Sequence, residues 1–402
     1  MLPKLDVLIK KCANLGLIFD STTKMSKAGC VKLLRKHYLA GAELPYTEVT
    51  PMLCFSETNL NPEEKDYMWE SDHWVAQEKL NGCRAILHFI PGKGVFAHTR
   101  TTSVKTFRYQ EFTESLLFAN FKDCPVEFVI DTEVIVEKSI DTREYTKGKG
   151  EITQTSLHST VCILHLDPAE GRLLQTEQNA PLKFEVFDIL KMGTKDLKMT
   201  LLADRLTDLE IFKTWVQASR LTHYFKFPPV IRTEKRAFFN KIVSEGGEGI
   251  VLKNLNSPYE DSSSRKRKGW VKVKKKLEMD AFVTGFTRGE EGTAWRNMIG
   301  AIKFSVVKET GGLHEIAICS SMTQEDRENF TVYNAEYDSV DLNPDVYKRV
   351  AEISGQEITP RNFKIAHARI ERWRVGIDQK EWDECKVNMS DLEKMVALPK
   401  DA

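Results

Sequence analysis

Apolar residues recur along the chain in two periods, and the changes between them divide it into three stretches. Up to about residue 50 the period is helical. Leu5, Leu8, Ile9 and Cys12, then Cys30, Leu33, Leu34 and Tyr38, fall on single faces, with Ser21-Thr22-Thr23 as a cap before the second group. From 73 to 275 the pattern is mixed. Alternation predicts strands at 84–90, 94–100, 126–136, 183–190 and 249–253, and helical spacing predicts helices at 110–119, 200–218 and 234–245. The acidic run 57–72 reads as loop and exposed helix, and 139–160 as an irregular excursion. Beyond Glu278, the stretches 281–286, 299–306 and 313–318 alternate with Gly-containing breaks, and 361–374 continues the series. Short strands at such spacing predict a small barrel. The expected division is 1–50, 51–277 and 278–402, with the second boundary near 277–280.

Within this pattern one stretch stands out. Glu78-Lys79-Leu80-Asn81-Gly82-Cys83-Arg84 follows His73-Trp74-Val75-Ala76-Gln77 and leads into Ala85-Ile86-Leu87-His88-Phe89. The pattern predicts strand, tight turn at Gly82, strand, with glycine supplying unusual backbone angles. A lysine just before such a turn can be held in a pocket. Taken alone, an ordinary surface lysine beside a hairpin glycine explains it better.

Composition narrows the class. The chain has 402 residues, 41% hydrophobic and 29% charged, which fits a folded protein of two or three domains. Formal net charge is zero, so the whole chain advertises no polyanion partner. The charge is unevenly placed, however. The run Arg265-Lys266-Arg267-Lys268-Gly269-Trp270-Val271-Lys272-Val273-Lys274-Lys275-Lys276 carries eight cations in twelve positions and no acid. Lys24, Lys27, Lys32, Arg35, Lys36 and His37 also make the N-terminal segment basic, either a small DNA-gripping appendage or a solvated helix face.

The 8 cysteines are scattered singly, which suggests neither a disulfide framework nor a zinc site. No apolar run could span a membrane and no signal-peptide layout opens the chain, so the expected compartment is the cytosol, or that of a host cell if the gene is viral. Lys147-Gly148-Lys149-Gly150 is not a nucleotide-binding P-loop, since no Lys-Ser/Thr and helix follow its second glycine.

Four further stretches follow the lysine motif in order. They are Ile130-Asp131-Thr132-Glu133-Val134, then Phe184-Glu185-Val186-Phe187-Asp188-Ile189-Leu190, then Glu248-Gly249-Ile250-Val251-Leu252-Lys253, and last Gly269-Trp270-Val271-Lys272-Val273-Lys274. Over about 51–385 this series resembles the covalent nucleotidyltransferases, the ATP-dependent DNA ligases most of all, with RNA ligases and capping enzymes as relatives. The resemblance implies an α+β adenylation domain of antiparallel sheets with flanking helices, then an all-β OB-fold domain, a known platform for nucleic acid. A small helical N-terminal segment precedes both.

It also implies a chemistry. A ligase of this kind uses ATP and Mg²⁺ to form lysyl-AMP, passes AMP to a DNA 5′-phosphate, and lets a 3′-hydroxyl displace it, sealing a nick in duplex DNA. Each step transfers a phosphoryl-type centre, so positioning and charge neutralisation are what the protein must supply. Lys79 would be the nucleophile. A free lysine, with a pKa of roughly 10.4, must lose its proton to serve, which an apolar or cationic setting favours. Lys272 and Lys274 share one face of their strand and would contact phosphate, Lys274 the α-phosphate.

Gln77, Glu78, Arg84, Arg100, Glu133, Phe187 and Lys253 would complete the nucleotide site. Gln77 would read the adenine edge, Phe187 stack on the base, and the two arginines hold ribose and phosphate. Glu133 and Glu248 would serve the metal, carboxylates being natural ligands for Mg²⁺. Arg265, Lys266, Arg267, Lys268, Lys275 and Lys276 would grip the DNA backbone. Arg369, Arg372, Arg374, Asp378 and Lys380 resemble the family's last motif, which orients pyrophosphate, although the gap from Arg374 to Asp378 is longer than usual. A hinge is expected near 277–280, and a monomer is expected.

Asn81 departs from the usual Asp of DNA ligases and is shared with some RNA ligases, which keeps a ligase of RNA or mixed ends as the alternative. A capping enzyme would act on GTP and RNA ends. A catalytically idle nick-binding module would not need Lys79, Glu133, Glu248, Lys272 and Lys274 intact.

Overall fold

The computed structural model describes residues 4–19, 26–39, 44–103, 107–145, 150–153, 155–260 and 267–396. Ser21-Thr22-Thr23, Lys24, Lys147-Gly148-Lys149, Arg265 and Lys266 lie outside the described residues, as do the side chains of Lys27, Arg35 and Tyr38. The fold is mixed α/β and separates into two compact units. One takes in Met1–Lys241 with Ile250–Val273, the other Ile242–Gly249 with Lys274–Leu398.

The first unit is built on two sheets. The larger has seven strands: Tyr109–Glu111, Gly94–Thr102, Cys83–Ile90, Phe128–Ile135, Lys183–Met192 and Lys195–Asp196 in that order, with Phe225–Lys226 beside Lys183–Met192. Alternation decides its two faces. Ala85, Leu87 and Phe89 point into a core closed by helical residues such as Leu117, Leu174, Leu209, Phe212 and Val216. Ile86 on the other face joins Val49, Met52, Val129, Leu190, Tyr259 and Trp270, with Phe187 and Val251 packed against them. Val251 and Trp270 belong to the smaller sheet, of four strands in the order Phe55–Ser56, Trp270–Lys274, Gly249–Asn254, Trp74–Glu78. The layers of this unit are therefore helices, large sheet and small sheet.

The helix Leu202–Ala218 buries Leu202, Arg205, Leu209, Phe212 and Val216, the stripe that a 3.6-residue period predicts. The N-terminal helices Leu5–Asn14 and Lys27–Leu39 bury Leu8, Cys12, Cys30 and Leu34 against Phe107.

Several expectations need correction. The turn at Gly82 does not join a hairpin: Trp74–Glu78 pairs with Gly249–Asn254 in the small sheet, whereas Cys83–Ile90 pairs with Gly94–Thr102 and Phe128–Ile135 in the large one. Nor does Gly82 supply a left-handed angle. A Cβ there would lie 2.3 Å from the Val134 carbonyl oxygen, so the glycine serves close approach. The segment 110–119 is not one helix. It opens in the strand Tyr109–Glu111 and turns helical only over Leu116–Asn120, where the Ser115 hydroxyl caps Leu117 N–H. The excursion 139–160 ends in the helix Ser156–Ile163, capped by Thr155. A further helix, Pro168–Glu177, follows an Asp167 cap with proline in its first turn.

In the second unit a six-stranded sheet runs Leu313–Cys319, Ile299–Lys308, Leu277–Arg288, Val350–Gly355, Arg369–Trp373, and Lys386–Val387 adds to Ile299–Lys308. Its buried face carries Ala281, Val283, Ile302, Phe304, Ile316, Ala317, Ala351 and Ile353. Of 361–374 only Arg369–Trp373 is a strand.

Candidate active site

Lys79 stands on the crossover between the two sheets of the first unit. The small-sheet strand Trp74–Glu78 ends just before it, and the large-sheet strand opens at Cys83. Gly82, pressed against Val134, brings the crossover down onto the neighbouring strand. There Gly82 N–H donates to Glu133 Oε1 at 3.2 Å, and Glu133 lies across the ladder from Arg84. Burial pushes the Glu133 carboxyl up to about 7, against the pull of Arg84, Lys79, the Gly82 N–H and Arg100. One half-buried acid thus feels three cations and a backbone donor. Arg100 itself is exposed on the adjacent strand.

Arg84 is more committed than its expected role requires. Its Nε and Nη2 donate to the two oxygens of Asp131 at 2.7 and 2.5 Å, and Nη1 to the Met52 carbonyl at 2.8 Å. Tyr259 closes the arrangement, donating to Asp131 Oδ2 at 2.7 Å while its oxygen accepts Met52 N–H at 2.9 Å. A second fork lies alongside. Arg205 donates to both oxygens of Asp188 at 2.8 and 2.9 Å, and both side chains are fully buried.

Phe187 packs edge-on to Trp270, with ring centroids 5.9 Å apart, and Lys253 and Arg84 lie over its ring at 4.6 and 5.1 Å. Gln77 is buried. Its Nε2 donates to the Pro228 carbonyl at 3.4 Å, and its Oε1 has no partner among the described residues. Glu78 pairs along the backbone with Ile250. Lys272 and Lys274 are the half-buried positions of their strand, alternating with buried Val271 and Val273.

The model of the ATP dependent DNA ligase domain matches residues 51–274. That span holds all five motifs and more than half of the chain. The chain belongs to the ATP-dependent DNA ligases. It is 23% identical over 335 residues to DNA ligase C of Mycobacterium tuberculosis, covering 82% of this chain and 80% of that one. It is 34% identical over 140 residues to a DNA ligase of Methanococcus maripaludis, covering 33% of this chain and 24% of the relative. Against the Methanosphaera stadtmanae DNA ligase, 22% identical over 291 residues, it covers 70% of itself and 46% of the relative. The chain thus spans under half the length of those last two. Among solved structures, a Lig E DNA ligase described as binding DNA with a minimal scaffold superposes with a TM-score of 0.52 at 16% identity, covering 82% of this chain and all of that one. The chain Pmar-Lig_PreS3 superposes with a TM-score of 0.57 at 16% identity, covering 87% of this chain and 72% of that one. These likenesses show the fold.

The ligase's other expected site residues fall as follows. In the second unit Glu248 pairs with Lys274 at 2.5 Å, and Lys274 also donates to Gln356 Oε1 at 2.8 Å. Arg372 pairs with Glu352 and Asp378, Arg374 with Asp280 and Glu352, and Lys380 with Asp280. Arg369 is exposed at the start of its strand. Of the basic run, Arg267 pairs with Glu260, Lys268 with Glu64, and Lys276 with Glu278 and Glu371, while Lys275 donates its backbone N–H to the Glu248 carbonyl. Surface pairs of this kind are worth about 0–1 kcal/mol, so a phosphate can displace the acid.

Reading the sequence did not single out Asp131, Asp188, Arg205 or Tyr259 as site residues. The signal for the first two was present, a charged residue inside an apolar strand run, which a buried strand tolerates only with a partner.

No helix among the described residues is long and apolar enough to cross a membrane.

Proposed function

We propose that this ligase seals 5′-phosphate/3′-hydroxyl nicks in double-stranded DNA as a monomer, with Lys79 as nucleophile. One observation carries the reading: Lys79, Arg84 and Arg100 all act on Glu133 at the crossover. That concentration of cations suits the binding of a triphosphate.

The first unit acts as the adenylation domain and the sheet of the second as the OB-fold domain. Lys79 Nζ forms a bond to the α-phosphorus of ATP, the bond to the bridging oxygen breaks, and pyrophosphate leaves. The AMP then passes to the 5′-phosphate of the nick, and the 3′-hydroxyl displaces it. Gln77 suits the base, because its buried acceptor lacks a partner among the described residues and adenine offers an amino group. Phe187 stacks on the base, Lys272 and Lys274 contact phosphate, and the cations of the last motif orient pyrophosphate.

Mg²⁺ takes one or two carboxylates and otherwise water and phosphate oxygens. Glu133 fits as such a ligand, and Glu248 does so on exchanging Lys274. The ion would neutralise phosphate charge during transfer. Arg267, Lys268, Lys275 and Lys276 exchange their local contacts for the duplex backbone, and the basic N-terminal helices add to that grip.

The test is sealing, with ATP and Mg²⁺, of nicked duplexes in which each strand is DNA or RNA. Joining that requires a DNA 5′-phosphate strand and a DNA template supports this reading and makes Asn81 a tolerated variation. Preference for an RNA strand overturns it. Lys79→Ala should abolish AMP attachment and keep salt-sensitive duplex binding. Attachment of AMP to that variant would remove Lys79 from its role.

A further inference from the structure

Lys253 is a cation where the packing calls for none. It lies on the strand Gly249–Asn254, opposite Val75 of the strand that delivers Lys79, and it is 2% exposed. Its amine donates to the Phe187 carbonyl at 3.2 Å and stands 4.6 and 4.2 Å from the ring centroids of Phe187 and Trp270. The carboxylates that act on it, Asp188 and Asp131, are each already held in an arginine fork. A buried ammonium without a carboxylate of its own is costly, and a leucine or methionine would fill the space at less cost. Sites that break such a rule tend to be functional.

The carbonyl that Lys253 holds is unusual too. Along the ladder between Phe128–Ile135 and Lys183–Met192, Asp131 faces Asp188 but Thr132 faces Val186. Phe187 is therefore the extra residue of a β-bulge, a device that re-aims one side chain. The amine grips this bulge from two directions, through its carbonyl and over its ring.

We infer that Lys253, in its charged form, is a positioning residue that fixes the Phe187 bulge and so sets the affinity of the site for the nucleotide base. This rests on the reading of Phe187 as the residue that stacks on that base. The Lys253 and Arg84 cations over the ring also draw electron density from it, which favours its stacking with an electron-rich purine. Burial, with a smaller push from the Arg84 charge, brings the Lys253 amine down to about 8, against the opposing pull of Asp188, Cys54 and Asp131. The grip should therefore weaken as pH rises past that value.

The experiment uses the full chain freed of AMP. Initial rates of AMP attachment across ATP concentrations, with Mg²⁺, give KM and kcat, and closure of a nicked duplex already bearing AMP on its 5′-phosphate is measured alongside. Lys253→Met should raise KM for ATP about tenfold, as expected for one lost charge-assisted contact. It should leave kcat and closure of the pre-adenylated nick within about threefold. Lys253→Arg should keep KM low, and keep it flat at high pH where the wild-type value climbs.

An unchanged KM in Lys253→Met overturns the inference. So does a joint fall of kcat, pre-adenylated closure and Tm in both variants, which would mark a merely structural lysine. If the wild-type chain takes AMP from ATP, either result leaves the reading of the site intact. A wild-type chain that takes up no AMP overturns that reading and this inference with it.

Discussion

Asp131 and Asp188 face one another directly across adjacent antiparallel strands, both fully buried, and each is held by its own arginine. Like charges in that position repel, so each arginine offsets the cost of both acids. Arg205→Met should therefore destabilise the protein by about 3–5 kcal/mol, the range for breaking a buried pair. Adding Asp188→Leu should recover most of that loss, because the orphaned charge goes too. Denaturant melts of the two variants decide it, and a double variant no more stable than the single one would refute the account.

Gly82→Ala should affect the reaction more than the fold. The added methyl meets the Val134 carbonyl, and the chain can give way only by lifting the crossover that carries Lys79. The stability cost expected for such overpacking is about 1–3 kcal/mol. AMP attachment should fall by well over the factor that this loss of folded protein explains. Attachment rates normalised to folded fraction check it.

Tyr259→Phe removes a hydroxyl that donates to Asp131 and accepts from Met52 N–H, and it leaves both partners buried. A loss of about 1–3 kcal/mol is expected for groups so orphaned. Tyr259→Phe in an Asp131→Asn background should cost less, since the acceptor charge is already gone. A thermodynamic cycle on Tm measures the coupling.

Glu133 links stability to pH. Its folded-state carboxyl is raised from 4.5 to about 7, so the native protein holds a proton that the unfolded chain has released. Stability should then decline as pH rises from about 4.5 to about 7, by at most about 3.5 kcal/mol, because each tenfold difference in proton affinity is worth about 1.4 kcal/mol. Glu133→Gln should flatten that decline. Parallel curves for the two proteins would place the carboxyl in its ordinary range.

Much of this fold is legible in the sequence. Alternation in 84–90 and 183–190 marks central strands, and the helical stripe from Leu202 marks its helix, because burial of one face leaves a period in the sequence. Partners leave no such mark. Nothing in the run from His73 to Phe89 says that its two strands belong to different sheets, and a glycine needed for close approach reads the same as one needed for its angles. The bulge at Phe187 is hidden because one extra residue in an apolar run does not break the run. The helices Ser156–Ile163 and Pro168–Glu177 have readable caps in Thr155 and Asp167, but the neighbouring glycines and charges favour a loop.

Lys79 has its root in one sheet, and its neighbour Glu133 belongs to the other. Its reach toward that carboxylate is therefore not the property of any single strand but a reading of how two sheets are aligned. A slip of one layer over the other, too small to disturb either core, would pull the crossover between them and shift the amine against the acid. The nucleophile then works as a vernier, and pressure or a distant packing change that shears the layers should register first in the rate of AMP attachment.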